Sequence, residues 1–352
     1  MQPDPEHTAG GVGATRVLSA TDLYATGDSI AALQEPDGMI LWFPGGHADP
    51  WNHTEAAMAL DVAGRQAEAE RAYQWLSDTQ HADGWWHHYY LADGIEDAKI
   101  DTNVCSYVAA GVWHHWLMTG DRGFLESMWP VVNRAINFVL TMQNAGGEII
   151  WARHADGTPW SYALLTGSSS IYHSLRCAMR IAEEIGAERP LWELAAVRLR
   201  DRIADHPDSF EPKHRWAMDW YYPVLTGAVT GEAAVAQLAA KYDTFVMESK
   251  GVRCVSDNPW ITAAETCECA MAYLNVGDTD TAHALFSWVE NLRNDDGAYF
   301  TGIVYPDNVH FPDQEQSTYS SAAVILAADA LDRITPASGL FQGEGLADLN
   351  DV

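Results

Sequence analysis

Four stretches of the chain share one layout, and this repetition restricts the possible folds more than any other feature. A helical pattern runs out in Gln34-Glu35-Pro36-Asp37-Gly38, in Gln80-His81-Ala82-Asp83-Gly84, in Gln143-Asn144-Ala145-Gly146-Gly147 and in Arg293-Asn294-Asp295-Asp296-Gly297. Each is followed by an aromatic or apolar run: MILWF, WWHHYY, EIIWAR and AYFTGIVY. A loop rich in Asp, Asn, Pro, Ser or Thr comes next, and then a second, Ala-rich helix beginning near His53, Asn103, Ser168 or Ser317. EAAMAL, VAAGVW and SSAAVILAADAL have almost no polar face, as expected of buried helices. AEAERAYQWL and RAINFVLTM carry the single apolar stripe of helices that cover a core.

Two weaker copies fill the interval between Gly147 and Asp295. One runs through VRLRDRIADHPDSF and MDWYYPVLTG to the helix GEAAVAQLAAKY, the other through ESKGVRCVSDNPW to the helix TAAETCECAMAYL. Six hairpins, with six inner helices ringed by six outer ones, make an all-α (α/α)6 toroid in which the loops before the inner helices converge on one end. Little strand is expected beyond short runs such as 148–152. Residues 1–337 read as one toroidal domain with a short N-terminal lead, followed by a polar tail over 338–352; no linker divides the chain.

The sequence QxxxGxW at Gln80, Gly84 and Trp86 resembles the QW motif of squalene and hopene cyclases and their prenyltransferase-like relatives. Its physical content is general: a glycine ends an outer helix in a left-handed cap and the next aromatic packs across the turn. The acid motif DxDD of the cyclases is missing. Its nearest match, Asp278-Thr279-Asp280-Thr281, sits in an inter-helix turn and reads as a helix N-cap.

A formal charge of −29 would repel phosphate backbones and anionic membranes, so nucleic acid is an unsuitable partner. MQPDPEHTAGGVGATRV lacks the layout of a secretory signal, and no run of about 18 apolar residues could span a bilayer, so the expected location is the cytoplasm. Five scattered cysteines suit reduced thiols. Glu265, Cys267, Cys269 and His310 could imitate a zinc set, but Cys267 and Cys269, two apart on a helix, point about 200° apart and cannot both face one ion. No metal or cofactor is expected. His87-His88 and His114-His115 meet the same objection and read as edge and surface residues.

The loops before the inner helices set acids beside rings: WFPGGHADPWNH from Trp42, KIDTN from Lys99, MDWYY from Met218, DNPW from Asp257 and HFPDQE from His310. Fifteen Trp and fourteen Tyr exceed what one packed core needs, and such rings stack on the C–H faces of sugars. Trp42, His47, Trp51, His53, Trp86, Asp101, Asp219, Tyr221, Tyr222, Trp260, His310 and Asp313 are therefore candidate ligands for an oligo- or polysaccharide, with Trp51, Trp220 and Trp260 placed directly beside acids. Cleaving a glycosidic bond takes one carboxylic acid to protonate the leaving oxygen and one carboxylate to act as base or nucleophile. The leading pair is Asp49, in a loop too irregular for a simple cap, and Glu265, in the first turn of the fifth inner helix. Glu268, one turn deeper, and Asp101, at a helix start where capping competes, are the alternatives.

In overall layout, and most specifically in WFPGGHADPWNHTEAAMAL and DNPWITAAETCECAMAYL, the chain resembles the actinobacterial α-endomannosidases that hydrolyse 3-O-methylmannose polysaccharide. The resemblance implies an (α/α)6 glycoside hydrolase that cuts internal α-(1→4) mannosidic links of a cytoplasmic polysaccharide into mannoligosaccharides. It also implies a catalytic Asp early in the chain and a catalytic Glu in the last third, matched here by Asp49 and Glu265. Toroid hydrolases mostly invert, which requires carboxyls about 6.5–9.5 Å apart. An isoprenoid enzyme on the same toroid and a non-catalytic polysaccharide-binding toroid are the competing readings.

Overall fold

The computed structural model describes residues 16–347 and 349; the remainder of the N-terminal lead and of the C-terminal tail lies outside the described residues. The outer helices are α1 (Ala20–Ala31), α3 (Gln66–Thr79), α6 (Arg122–Leu140), α8 (Pro190–Asp205), α10 (Gly231–Phe245) and α12 (Thr279–Val289). The inner ones are α2 (Pro50–Val62), α4 (Thr102–Ser106) continued by α5 (Val108–Thr119), α7 (Leu165–Ile185), α9 (Met218–Leu225), α11 (Ala263–Asn275) and α13 (Thr318–Asp332). The inner helices pack in the cyclic order α2, α5, α7, α9, α11, α13 and back to α2, which closes the ring. This is the expected (α/α)6 toroid. The Ala-rich sequences of α2 and α13 are buried around nearly their whole circumference, since small side chains let each inner helix touch both neighbours and the outer wall at once.

The repeat sequence works as a joint between hairpins. Gln34 Nε2 donates to the carbonyls of Gly38 and Glu68, Gln80 Nε2 to those of Gly84 and Val131, and Gln143 Nε2 to those of Gly147 and Ala195, all at 2.9–3.1 Å. Each glutamine thus ties its own turn to the next outer helix. In the fourth copy Arg293 replaces glutamine and binds Asp22 of α1 at 2.6 Å, joining the last hairpin to the first. The glycines are not helix caps, as the motif had suggested. The helices end earlier, at caps such as Ala32 and Thr141, and each glycine sits in a tight turn with φ between +93° and +107°. A Cβ on Gly38 or Gly84 would stand 2.2 Å from the carbonyl oxygen of Arg71 or Arg134 on the neighbouring outer helix, so close approach as well as backbone conformation demands glycine.

Three further expectations need correction. GEAAVAQLAAKY forms the outer helix α10, and the inner element of that hairpin is α9, read from sequence as a loop; α9 spans only eight residues and contains Pro223, so it carries no helical period to read. His114 and His115 are buried in α5, where His115 Nδ1 meets Asp61 Oδ2 of α2 at 2.8 Å. The described part of the expected polar tail packs against the end of the ring opposite the converging loops. Leu340 and Phe341 are buried there, Phe341 stacks on His173, and Asn275 Nδ2 bonds the carbonyls of Val224, Leu225 and Phe341.

At the other end, where the inner helices begin, the strand content exceeds expectation. β1 (Tyr89–Leu91) pairs with β2 (Gly94–Asp97), β3 (Ile100–Asp101) with β4 (Ala152–Arg153), and β5 (Val246–Met247) with β6 (Gly251–Val252). β7 (Trp260–Thr262), β8 (Phe300–Val304) and β9 (Val309–Gln316) form an antiparallel sheet in the order β7-β8-β9, so the loop expected at His310 is a strand. These hairpins raise walls around the mouth of a funnel whose floor is the inner ring.

Candidate active site

Asp49 is the N-cap of α2. Its Oδ1 accepts the backbone N–H groups of Trp51 (2.8 Å) and Asn52 (3.0 Å), while Oδ2 accepts Trp42 Nε1 (2.7 Å) and Asn52 Nδ2 (2.6 Å). Capping therefore does occur in a loop that looked too irregular for it. Burial pushes the carboxyl up from its ordinary range and these four donors pull it back, because each favours the charged form. Asp101 repeats the arrangement at the next inner helix: Oδ1 caps α4 through Asn103 and Val104, and Oδ2 accepts Trp151 Nε1. Burial raises it to about 6 against the pull of Lys99 and of those donors.

Glu265 occupies the third position of α11. Thr262, three residues before it, is the N-cap but makes no side-chain cap bond, so the Thr-x-x-Glu spacing does not close into a capping box. The side chain is half-buried, and burial raises its pKa, opposed by the Thr262 hydroxyl and the residue's own backbone. Deeper on the same helix Glu268 is buried and accepts Tyr221 Oη. Its proton affinity is raised well above the ordinary value by burial and by the charge of Glu55, with a smaller contribution from Glu265.

Glu55, on α2, is the functional candidate that sequence reasoning missed. It is buried, accepts Tyr107 Oη at 2.8 Å, and is raised to about 8 by burial, with the charge of Asp49 adding to the rise. Four carboxyls thus form an electrostatic series across the inner ring, Asp49 to Glu55 to Glu268 to Glu265. Tyr107 and Tyr221 hold the deep pair, and Tyr222 lies close enough for both glutamates to raise its phenol. The only signal was a lone acid in EAAMAL, a segment otherwise apolar.

Rings line the wall between the two shallow acids. Trp42, bonded to Asp49, packs edge-on against Tyr319 with centroids 4.9 Å apart, and Tyr319 is raised by burial and then by Glu265, so this pair spans from one acid to the other. On the other side His47 stacks on Tyr89 at 4.1 Å, and its Nδ1 lies 2.8 Å from Glu96 Oε2. Burial raises the Tyr89 phenol to about 12, helped by Asp49 and Asp101. Trp51 is half-buried against Tyr107. Asp219 accepts Thr166 Oγ1 at 2.7 Å at the start of α9.

The other expected ligands divide between the core, the strand wall around the mouth and an outer groove. Trp86 is wholly buried and donates Nε1 to the Leu76 carbonyl; it is a wedge between hairpins. His53 is buried, accepts the Ile40 N–H at Nδ1 and meets the Ala72 carbonyl through Nε2; burial lowers it to about 4, so it is a neutral strut below the mouth. Tyr221 and Tyr222 lie under the floor rather than on it. Trp220 is buried against Phe245 and donates to the carbonyls of α10. Trp260 and Phe311 pair on the β7–β9 sheet, where His310 stacks on Phe300 at 3.7 Å. Asp313 is exposed at φ +52° and borders an outer groove with Phe43 and Pro44, away from the carboxyl series.

No family model matches the chain. It is 50% identical over 334 residues to the MMP endo-(1,4)-3-O-methyl-α-D-mannosidase of Mycolicibacterium hassiacum, covering 95% of this chain and 92% of that one. Among solved structures, a wild-type glycosidase superposes with TM-score 0.69 at 15% identity, over 91% of this chain and 98% of that one. A D-mannose isomerase superposes with TM-score 0.66 at 13% identity, over 88% and 97%. These two likenesses concern the fold alone.

Proposed function

The chain belongs to the family of the endo-(1,4)-3-O-methyl-α-D-mannosidases, and from that premise we propose that it is a cytoplasmic endo-hydrolase of internal α-(1→4) links in a methylated mannose polysaccharide. The products are mannoligosaccharides. Among the described residues no helix is long and apolar enough to cross a membrane, which fits an enzyme meeting a soluble chain.

The observation that carries the mechanism is the unequal treatment of Asp49 and Glu265. Four donors favour the ionised form of Asp49, whereas the rise that burial gives Glu265 is opposed only by the Thr262 hydroxyl and its own backbone. Environments that separate two carboxyls in this way assign the base and the acid. Glu265 gives its proton to the glycosidic oxygen as the C1–O bond breaks. Asp49 takes a proton from the water that attacks C1 from the opposite face, so the new hemiacetal has inverted configuration. The half-buried Asn52 amide on Oδ2 is the partner that yields: when it turns to a sugar hydroxyl, a lone pair is left for the water. Inversion requires the two carboxyls to stand about 6.5–9.5 Å apart, which leaves room for that water. Asp101 and Trp151 extend the binding surface beside the reacting sugar.

Methylmannose polysaccharide, unmethylated α-mannan and α-glucan, each incubated with the enzyme and followed by mass analysis, test the substrate. Internal fragments from the methylated mannan are expected. Cleavage of glucan alone, or of none of the three, contradicts the proposal.

A further inference from the structure

All fifteen tryptophans fall among the described residues, and Trp216 alone is exposed, at 45% of its surface. Burial of an indole is worth so much apolar area that a single exposed one, if held rigidly, is a feature to explain. Trp216 is held rigidly. Its N–H bonds the Lys213 carbonyl at 2.8 Å, and it forms an antiparallel bridge with Val255, flanked by Ala217 N to Cys254 O and Ser256 N to Arg215 O. The Arg215 guanidinium lies over the indole, 5.4 Å from its centroid, and is itself fixed by Asp257 at 2.9 Å. One face of the ring is therefore backed by a cation while the side chain as a whole stays open to solvent.

The position bears on function. Trp216 stands two residues before α9, at the end of the ring where the loops converge, and its bridge partner is Val255. The same segment continues through Cys254 N to Trp260 O and an Arg253–Ile261 bridge onto β7, which leads directly into α11 and Glu265. We infer that Trp216 is a stacking platform for a pyranose ring of the polysaccharide, one that lies outside the cleaved linkage on the Glu265 side of the funnel. The ligand class follows from the chemistry. An open indole backed by the Arg215 guanidinium offers a flat π-face to the C–H face of a sugar, and an O-methyl group adds apolar surface to that contact. This inference rests on the glycanase reading above.

The test compares wild type with Trp216→Ala and Trp216→Phe on intact methylmannose polysaccharide and on progressively shorter oligosaccharides cut from it. For Trp216→Ala, kcat/KM on the polysaccharide is expected to fall about tenfold, through KM and not kcat. The deficit should shrink as the substrate shortens, and Phe should recover most of it. Wild-type kcat/KM for Trp216→Ala on the polysaccharide would overturn the inference, as would a deficit independent of chain length or one expressed in kcat. Failure of the wild type itself to cleave the polysaccharide would instead overturn the reading of function, and the inference with it.

Discussion

The N-termini of α2 and α11 face one mouth, and each presents an acid, yet their surroundings differ. At α2 the carboxyl caps the helix and meets two backbone N–H groups, an indole and an amide. At α11 the cap residue leaves the helix end unbonded by its side chain, and Glu265 stays half-buried with little to favour its charge. A helix N-terminus can thus hold a carboxylate as an anion or leave a neighbouring carboxyl as an acid, and the number of donors aimed at it decides which. Deeper in the ring the contrast disappears: Glu55 and Glu268 each receive a single tyrosine hydroxyl, and each has its proton affinity raised by burial.

The largest effect expected from breaking this contrast is at α11. Glu265→Gln should lower kcat on the polysaccharide by about 10³-fold with KM changed little, because the leaving oxygen then departs unprotonated; a loss below about tenfold, measured by steady-state kinetics, contradicts its role as acid. At α2 the cap and the base can be separated. Asp49→Asn keeps an oxygen for the two backbone donors, although its NH2 then faces Trp42 Nε1, and should lose activity by at least about 10²-fold while losing less stability than removal of the cap. Asp49→Ala should lose the activity and also about 1–2 kcal/mol of stability. An active Asp49→Asn would reduce Asp49 to a cap.

A smaller effect concerns the deep pair. Glu55 has an ordinary value of 4.5 and is raised to about 8 in the fold, so the native state holds a proton that the unfolded chain has released between those limits. Wild-type stability should therefore fall as pH rises from about 4.5 to about 8, and Glu55→Gln should gain on the wild type across that window in urea unfolding. Parallel curves would contradict the burial of Glu55. The smallest effect expected is for Trp42→Phe, which removes one of the four donors to Asp49. The acid limb of kcat/KM should move to higher pH, with less than about a tenfold change at the optimum; an unmoved limb would mean that Trp42 does not tune the base.

Much of the architecture was legible in the chain because it depends on periodicity and on glycine. The glutamine and glycine of each repeat stand at fixed offsets, and the Ala-rich inner helices betray burial on every side. What escaped was short or compensated. α9 is too brief to show a period, and β9 looked like a loop because its residues are polar on a half-exposed wall. His114 and His115 appeared too polar for a core, yet α5 buries both beside Asp61. Asp49, Asp101, Glu265 and Glu268 could be found from acids placed beside rings and helix starts. Glu55 could not, since its partners Tyr107 and Asp49 approach it only through the closing of the ring. Trp86, Trp220 and His53 have residue types that suit a sugar site, and the same types serve equally well to wedge hairpins together.

The division of labour between the two helix starts can be read most directly with a substrate whose leaving group needs no proton. A 2,4-dinitrophenyl glycoside of a methylmannose oligosaccharide, compared with the natural chain, separates acid from base. Glu265→Gln should be impaired at least a hundredfold less on the dinitrophenyl substrate than on the polysaccharide, while Asp49→Asn should be impaired alike on both. Selective rescue of Asp49→Asn instead, or equal impairment of Glu265→Gln on the two substrates, would contradict the assignment.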